Sequence, residues 1–172
     1  MPLKTKHKIF LASLAFRVIR IARKMAGKKI TGQFKRKSFL WELDLREVVD
    51  FMIYISGGFE GYLSKFIQQN VEEGSTVIDI GANIGAHTLT MGKSVGSSGK
   101  AYAIEATEYA YNKLQTNISL NPTIATNIKP IHCVLQAAHD SGTDTIDSDS
   151  IHSSWPFESS EERHSSHQGI LK

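Results

Sequence analysis

At 172 residues, 41% of them hydrophobic and 9% aromatic, the chain is long enough for one folded domain and too apolar for a disordered or collagen-like polymer. Its single cysteine, Cys133, excludes an internal disulfide framework, and no Cys/His pairs supply a structural zinc site, so a reducing, cytoplasmic setting is expected. The net charge of +3 conceals an asymmetry: residues 1–40 carry 12 Lys/Arg and no Asp/Glu, residues 41–172 carry 8 and 17, giving +12 against −9.

A basic arm on an acidic body suits an anionic partner, either phospholipid headgroups or nucleic acid. The spacing predicts a helix over residues 6–26, with Phe10, Leu14, Phe16, Val18 and Ile21 on a broad apolar surface and Arg17, Arg20 and Lys24 along the other side. Its uncharged run, Ile9 to Phe16, is eight residues against the roughly 20 of a membrane span, so the helix is amphipathic rather than spanning. Arg17, Arg20, Arg23 and Lys24 stand where a signal peptide would carry its small-residue cleavage site. The helix is expected to pack on its own domain or to dock peripherally on an anionic membrane surface through residues 6–26, nucleic acid being the weakest of the three partners.

Residues 39–55 alternate and then run apolar, and the glycines between Gly57 and Gly61 break that run before a helix-like stretch from Tyr62 to Val71. Thr76 to Ile80 reads as a parallel-type strand covered on both faces. A helix is expected from Asn83 or Ile84, with Ile84, Thr88, Met91 and Val95 facing the sheet. A second strand follows from Ala101 to Ile104, then a helix from Glu108 to Leu120 stopped by Asn121-Pro122. The third strand is placed at Ile131 to Leu135, on an edge because Pro130 cannot donate to a central ladder. This β-α-β-α-β alternation implies a parallel sheet with right-handed crossovers. The division that results is a basic arm over residues 1–38, a partial α/β domain over 39–136 and a polar tail over 137–172 too poor in apolar residues to offset its ordering entropy.

Chemistry concentrates at Val77-Ile78-Asp79-Ile80-Gly81-Ala82-Asn83-Ile84-Gly85 and at Glu105, twenty residues after Gly85. A strand ending in an acid, then a glycine-punctuated turn, then a helix brings bare backbone to a ligand at the carboxyl edge of a sheet. Gly81 lets a flat ligand touch the main chain, Gly85 lets the helix approach the strand, and Asp79 holds the loop or meets a cation. Glu105 can accept both hydroxyls of a ribose. The glycines are spaced G-x-x-x-G behind an acid, not G-x-G-x-x-G, which disfavours a pyrophosphate. S-adenosylmethionine, with its sulfonium, ammonium and ribose diol and no phosphate, suits these carboxylates.

Residues about 50 to 135 resemble the first half of a class I S-adenosylmethionine-dependent methyltransferase, specifically the FkbM family. The resemblance is carried by Gly58-Phe59-Glu60, the Asp79–Gly85 core, Gly99 to Glu105 and Leu114 to Asn121. It implies a Rossmann-like sheet with Asp79, Gly81, Ala82, Asn83 and Gly85 lining the methionine and loop side, Glu105 on the ribose and Glu60 at the methionine end. It implies O-methylation of a small-molecule or sugar hydroxyl by in-line attack on the sulfonium methyl, with RNA as the alternative acceptor. Ala106 stands where the family usually has proline. The family's sheet has about seven strands, so the chain reads as truncated after the third, leaving the strand at Thr76–Ile80 with an uncovered edge open to self-association. A non-catalytic cofactor-binding or membrane-surface module is the competing reading. No general base is identified.

The bland readings prevail elsewhere. The spacings of His132, His139, His152, His164 and His167 fit no standard metal set, and no metal is expected. Cys133 is expected to be a strand residue rather than a nucleophile. Asn117-Ile118-Ser119 matches a glycosylation sequon but falls on a predicted helix.

Overall fold

A computed structural model describes residues 5–135; the tail expected over 137–172 and the histidines in it lie outside the described residues. The element order is α1 (Thr5–Met25), β1 (Thr31–Arg36), β2 (Phe39–Asp44), α2 (Val48–Ser56), α3 (Gly61–Asn70), β3 (Thr76–Ile80), α4 (Thr88–Ser94), β4 (Lys100–Glu105), α5 (Glu108–Ser119), α6 (Pro122–Ala125) and β5 (Ile128–His132). β3, β4 and β5 form a parallel sheet in that order, and β1 pairs with β2 in an antiparallel hairpin. The fold is therefore α/β with a parallel sheet, as expected, and among the described residues β3 lies at one edge and β5 at the other.

Three boundaries differ from those read in the sequence. The last strand begins three residues earlier, at Ile128 instead of Ile131, and Pro130 lies inside it opposite Ala103. That is tolerable because Asn127 O accepts from Ala101 and Cys133 N donates to Glu105 O, so the odd-numbered residues carry the ladder. Pro130 belongs to the other set and turns its donorless nitrogen outward at the edge. The helix expected from Asn83 starts only at Thr88, since Asn83 (φ 49°) and Gly85 (φ 95°) occupy left-handed backbone that no right-handed helix contains. Finally, Thr31–Arg36 is a strand; the boundary drawn at residue 38 falls in the turn of the hairpin, at Lys37-Ser38.

The hairpin is held where it is by two asparagine side chains, Asn117 of α5 and Asn121 at the start of α6. The Leu40 N–H donates to Asn121 Oδ1 at 3.0 Å, Asn121 Nδ2 returns a bond to Leu40 O at 2.8 Å, and the Glu42 N–H donates to Asn117 Oδ1 at 2.8 Å. Carboxamides thus satisfy β2 as a third strand would. Trp41, Leu43, Leu45, Phe51, Ile53, Leu89 and Leu114 fill the core between hairpin, α2 and the helices on the sheet. Each such side chain contributes on the order of 1.5–3 kcal/mol by leaving water. Phe16 joins them, edge-on to Phe51 at 5.4 Å, which anchors α1 to the domain.

The sheet is covered on one face only, among the described residues. Asp79, Ala101, Ala103 and Ile128 are buried beneath the helices, whereas Ile78 and Ile80 on the opposite face are 59% and 68% exposed. The expectation of a strand covered on both faces is thus corrected: its apolar run is continuous, but the second layer is absent from residues 5–135.

Candidate functional site

β3 ends at Ile80, and the next residue, Gly81, turns the chain across the top of the sheet with a φ of 76°. The N–H groups of Gly81 and Ala82 both donate to Ile104 O at 2.9 Å, clasping the turn to the neighbouring strand. A Cβ on Gly81 would meet nothing within 4 Å, so the glycine is required by backbone conformation, and the space beside it is open. Gly85 differs, because a Cβ there would lie 2.9 Å from Leu114 Cδ1 of α5. The close approach of α4 to a strand, which the sequence reading gave to Gly85, belongs to Gly92, where a Cβ would fall 2.4 Å from Ile128 Cγ1.

Glu105 ends β4 with its side chain buried. Its Oε2 accepts from the Asn83 N–H at 2.8 Å, and its Oε1 accepts from the Thr107 N–H at 2.9 Å and the Thr107 hydroxyl at 2.8 Å. These three bonds occupy all but one of the roughly four acceptor positions of a carboxylate, and the open one is on Oε2. Glu105 in this state can take one further hydroxyl donor, not two. Asn83 and Glu105 are thereby brought together, with Gly81, around a cleft of about 400 Å³ whose apolar walls are Ile80, Ile104, Val134 and Leu135.

Asp79 is placed elsewhere. It lies on the covered face, buried, where its Oδ2 accepts from the Thr88 hydroxyl at 2.5 Å and ties the end of β3 to the start of α4. Ala82 is buried in the core, and Gly85 packs on α5. Glu60, in left-handed backbone at φ 46°, stands beside the end of the loop, its Oε2 3.6 Å from His87 Nε2. Neither Asp79 nor Glu60 lines the cleft next to Glu105.

Several contributors escape a reading of sequence. Thr107 clamps Glu105 from two positions along the chain, a local hydroxyl–carboxylate pairing that the spacing alone permits but does not announce. Asn117 is fully buried, donating from Nδ2 to Ile84 O at 2.9 Å while its oxygen holds Glu42, so one carboxamide fixes both loop and hairpin. His132 stacks on Tyr111 at 4.8 Å and 14°, with Nε2 3.2 Å from Ala106 O, bracing the chain past Glu105. Under Asn83 and Ile84 lies Asp50, paired with Lys113 and accepting from the Asp44 N–H at 2.6 Å. Burial, opposed by the Lys113 ammonium, pushes the Asp50 carboxyl up to about 6. Burial and the Glu47 charge likewise push the nearby Tyr109 hydroxyl up.

No protein-family profile matches the chain, and no curated protein matches it significantly. Among solved structures, it is similar to TYW2 of M. jannaschii in complex with AdoMet, at 27% identity over 61% of this chain and 44% of that one, with a TM-score of 0.48. It is also similar to a SAM-dependent O-methyltransferase of Thermotoga maritima, at 22% identity over 63% and 42%, TM-score 0.41. Trm5b of Pyrococcus abyssi gives 18% identity over 60% and 28%, TM-score 0.46. The chain thus spans less than half the length of each of these proteins.

Proposed function

We propose that residues 39–135 form the cofactor-binding half of an S-adenosylmethionine-dependent methyltransferase domain of the FkbM type, acting on a hydroxyl of a small molecule or sugar. One observation carries this reading: a buried Glu105 carboxylate, latched by Asn83 and Thr107, keeps a single acceptor position free beside a glycine turn with open space over it. The cleft of about 400 Å³ falls within the roughly 300–1,000 Å³ range of small-molecule sites. Its apolar walls suit a flat ring, and the free position on Glu105 suits one ribose hydroxyl. When bound, the cofactor supplies an electrophilic methyl group; this chain's own residues supply orientation and the apolar wall. Asp79 and Glu60 are proposed to act indirectly, Asp79 by fixing the start of α4 and Glu60 through His87.

Isothermal titration of the full chain with S-adenosylmethionine should give saturable binding, displaced by the demethylated product. Binding should be weakened about tenfold or more in Glu105→Ala. A thermal melt of the variant separates lost binding from lost fold. Absence of any saturable heat in the folded parent sinks the reading, and a methyl-transfer assay on hydroxyl acceptors and on RNA then separates enzyme from binder and one acceptor class from the other.

A second reading concerns α1. Phe10, Leu14, Val18, Ile21 and Met25 recur at helical spacing and are between 49% and 84% exposed, forming a bare apolar stripe beside the core-facing Phe16. Arg17, Arg20 and Lys24 border it, and the helix carries no acidic residue. We read this stripe as docking on an anionic bilayer surface. Among the described residues no helix is long and apolar enough to cross a membrane. Co-sedimentation with vesicles containing phosphatidylserine should be strong at low salt, fade as salt rises and fail in Val18→Glu/Ile21→Glu. Equal sedimentation of that variant defeats the reading.

A further inference from the structure

A second cavity, also of about 400 Å³, opens between the hairpin turn, the Gly57-Gly58 bend, α3 and α4. It shares no lining residue with the cleft beside Glu105. Its floor is made by Trp41, Ala86 and Thr90, all buried, and its rim by the exposed Lys37, Lys93 and Gln68. Helical spacing gives α4 two faces: Thr88, Leu89 and Gly92 face Asp79 and the sheet, while Thr90, Lys93 and Ser94, at i, i+3 and i+4, face this cavity.

The lining is chemically one-sided. It contains two lysines and several hydroxyls but no carboxylate. Among the described residues neither lysine forms an ion pair; Lys93 Nζ rests 3.2 Å from the neutral Ser38 hydroxyl. Lys37 is held in left-handed backbone at φ 49°, and its stem lies over Gly57, where a Cβ would come within 2.8 Å of Lys37 Cγ. On the floor, the Trp41 indole N–H is buried without a hydrogen-bond partner among the described residues, an arrangement that natural cores avoid.

We propose that this cavity is a binding site for a small organic phosphate-type anion. Its flat apolar body would lie against Phe39 and Trp41, with its charged group between Lys37 and Lys93 at the rim. Two ammonium groups, acting as point charges on a partly desolvated dianion, supply the affinity, and the missing carboxylates supply the selectivity against cations. This site is independent of the methyltransferase reading, because neither Lys37 nor Lys93 contributes to the cleft beside Glu105.

Phenyl phosphate is the probe and phenol its uncharged control. The chain has two tryptophans, so Trp155→Phe leaves Trp41 as the sole indole reporter. Fluorescence titration of this protein should show a saturable change with phenyl phosphate and none at equal phenol. In Lys37→Gly/Lys93→Gln the affinity should fall about tenfold or more, with no drop in melting temperature, since glycine relieves the left-handed strain at position 37. Saturating S-adenosylmethionine should leave the phenyl phosphate affinity unchanged within about twofold. The proposal is overturned by no saturable response up to about 20 mM, by equal affinity in the double variant, by an equal response to phenol, or by displacement with S-adenosylmethionine.

Discussion

Gly81 and Gly85 both hold backbone that residues with a side chain avoid, at φ 76° and 95°, yet their surroundings differ. Alanine at 81 meets open space and should cost about 1 kcal/mol for the left-handed conformation alone. At 85 it adds a clash with Leu114 Cδ1, so the loss should reach about 3 kcal/mol, and Leu114→Val in the same chain should restore part of it. Urea midpoints of the three variants test this; equal costs at 81 and 85 would show that packing on α5 is irrelevant. Glu105→Gln is a finer probe of the carboxylate. It sets an amide N–H against the donors of Asn83 or Thr107, and S-adenosylmethionine binding should weaken about tenfold while the fold persists. At this scale the glycines were legible, because a glycine inside G-x-x-x-G reports a backbone need directly. The occupancy of Glu105 was not, because acceptor positions are counted in space, and its three donors come from the Asn83 backbone in the folded turn and from Thr107.

Between elements, polar side chains do the joining. Asn117→Ala would leave the Glu42 N–H and the Ile84 carbonyl without their partner and should destabilise by about 3 kcal/mol, loosening hairpin and loop together. Faster amide exchange at both Glu42 and Asn83, against unchanged β4, is the expected signature; exchange rising at one site alone would break the claimed linkage. The Asp50–Lys113 pair joins α2 to α5 in the same region. A carboxyl raised from 3.8 to about 6 in the folded state binds its proton more tightly there than in the unfolded chain. Its contribution therefore favours folding most at and below about pH 4, declines as pH rises to about 6 and is flat beyond, a span of about 3 kcal/mol. Replacing Lys113 by Met removes the opposing cation and raises the carboxyl further, so the variant's deficit in urea should be larger at pH 8 than at pH 5 by about 2 kcal/mol. A deficit independent of pH would mean that Asp50 is not what Lys113 compensates. The hairpin itself was hidden in the sequence for a simple reason: Thr31–Arg36 is short, polar and charged, and its pairing with Phe39–Asp44 is supported by Asn117 and Asn121, the latter 81 residues from its partner Leu40.

For the molecule as a whole, the parallel order β3-β4-β5 was readable from alternating strands and helices, and Pro130 marked the edge. The bare face was not, because Val77-Ile78-Asp79-Ile80 has the same apolar character whether its second side is covered or open. With Ile78 and Ile80 exposed on an edge strand, self-association through this face is a natural proposal. Ile78→Thr/Ile80→Lys should lower the sedimenting mass at micromolar concentration without lowering the melting temperature, and an unchanged mass would acquit the strand. Asn117 carries a last consequence, for biosynthesis. The Asn-Ile-Ser triplet that begins there is an acceptor for N-linked sugar only while its amide nitrogen is free, and in the folded domain that nitrogen is spent on Ile84. Translation into a secretory lumen would set glycan transfer and folding in competition for one atom, and a chain that took the sugar first could no longer close its loop.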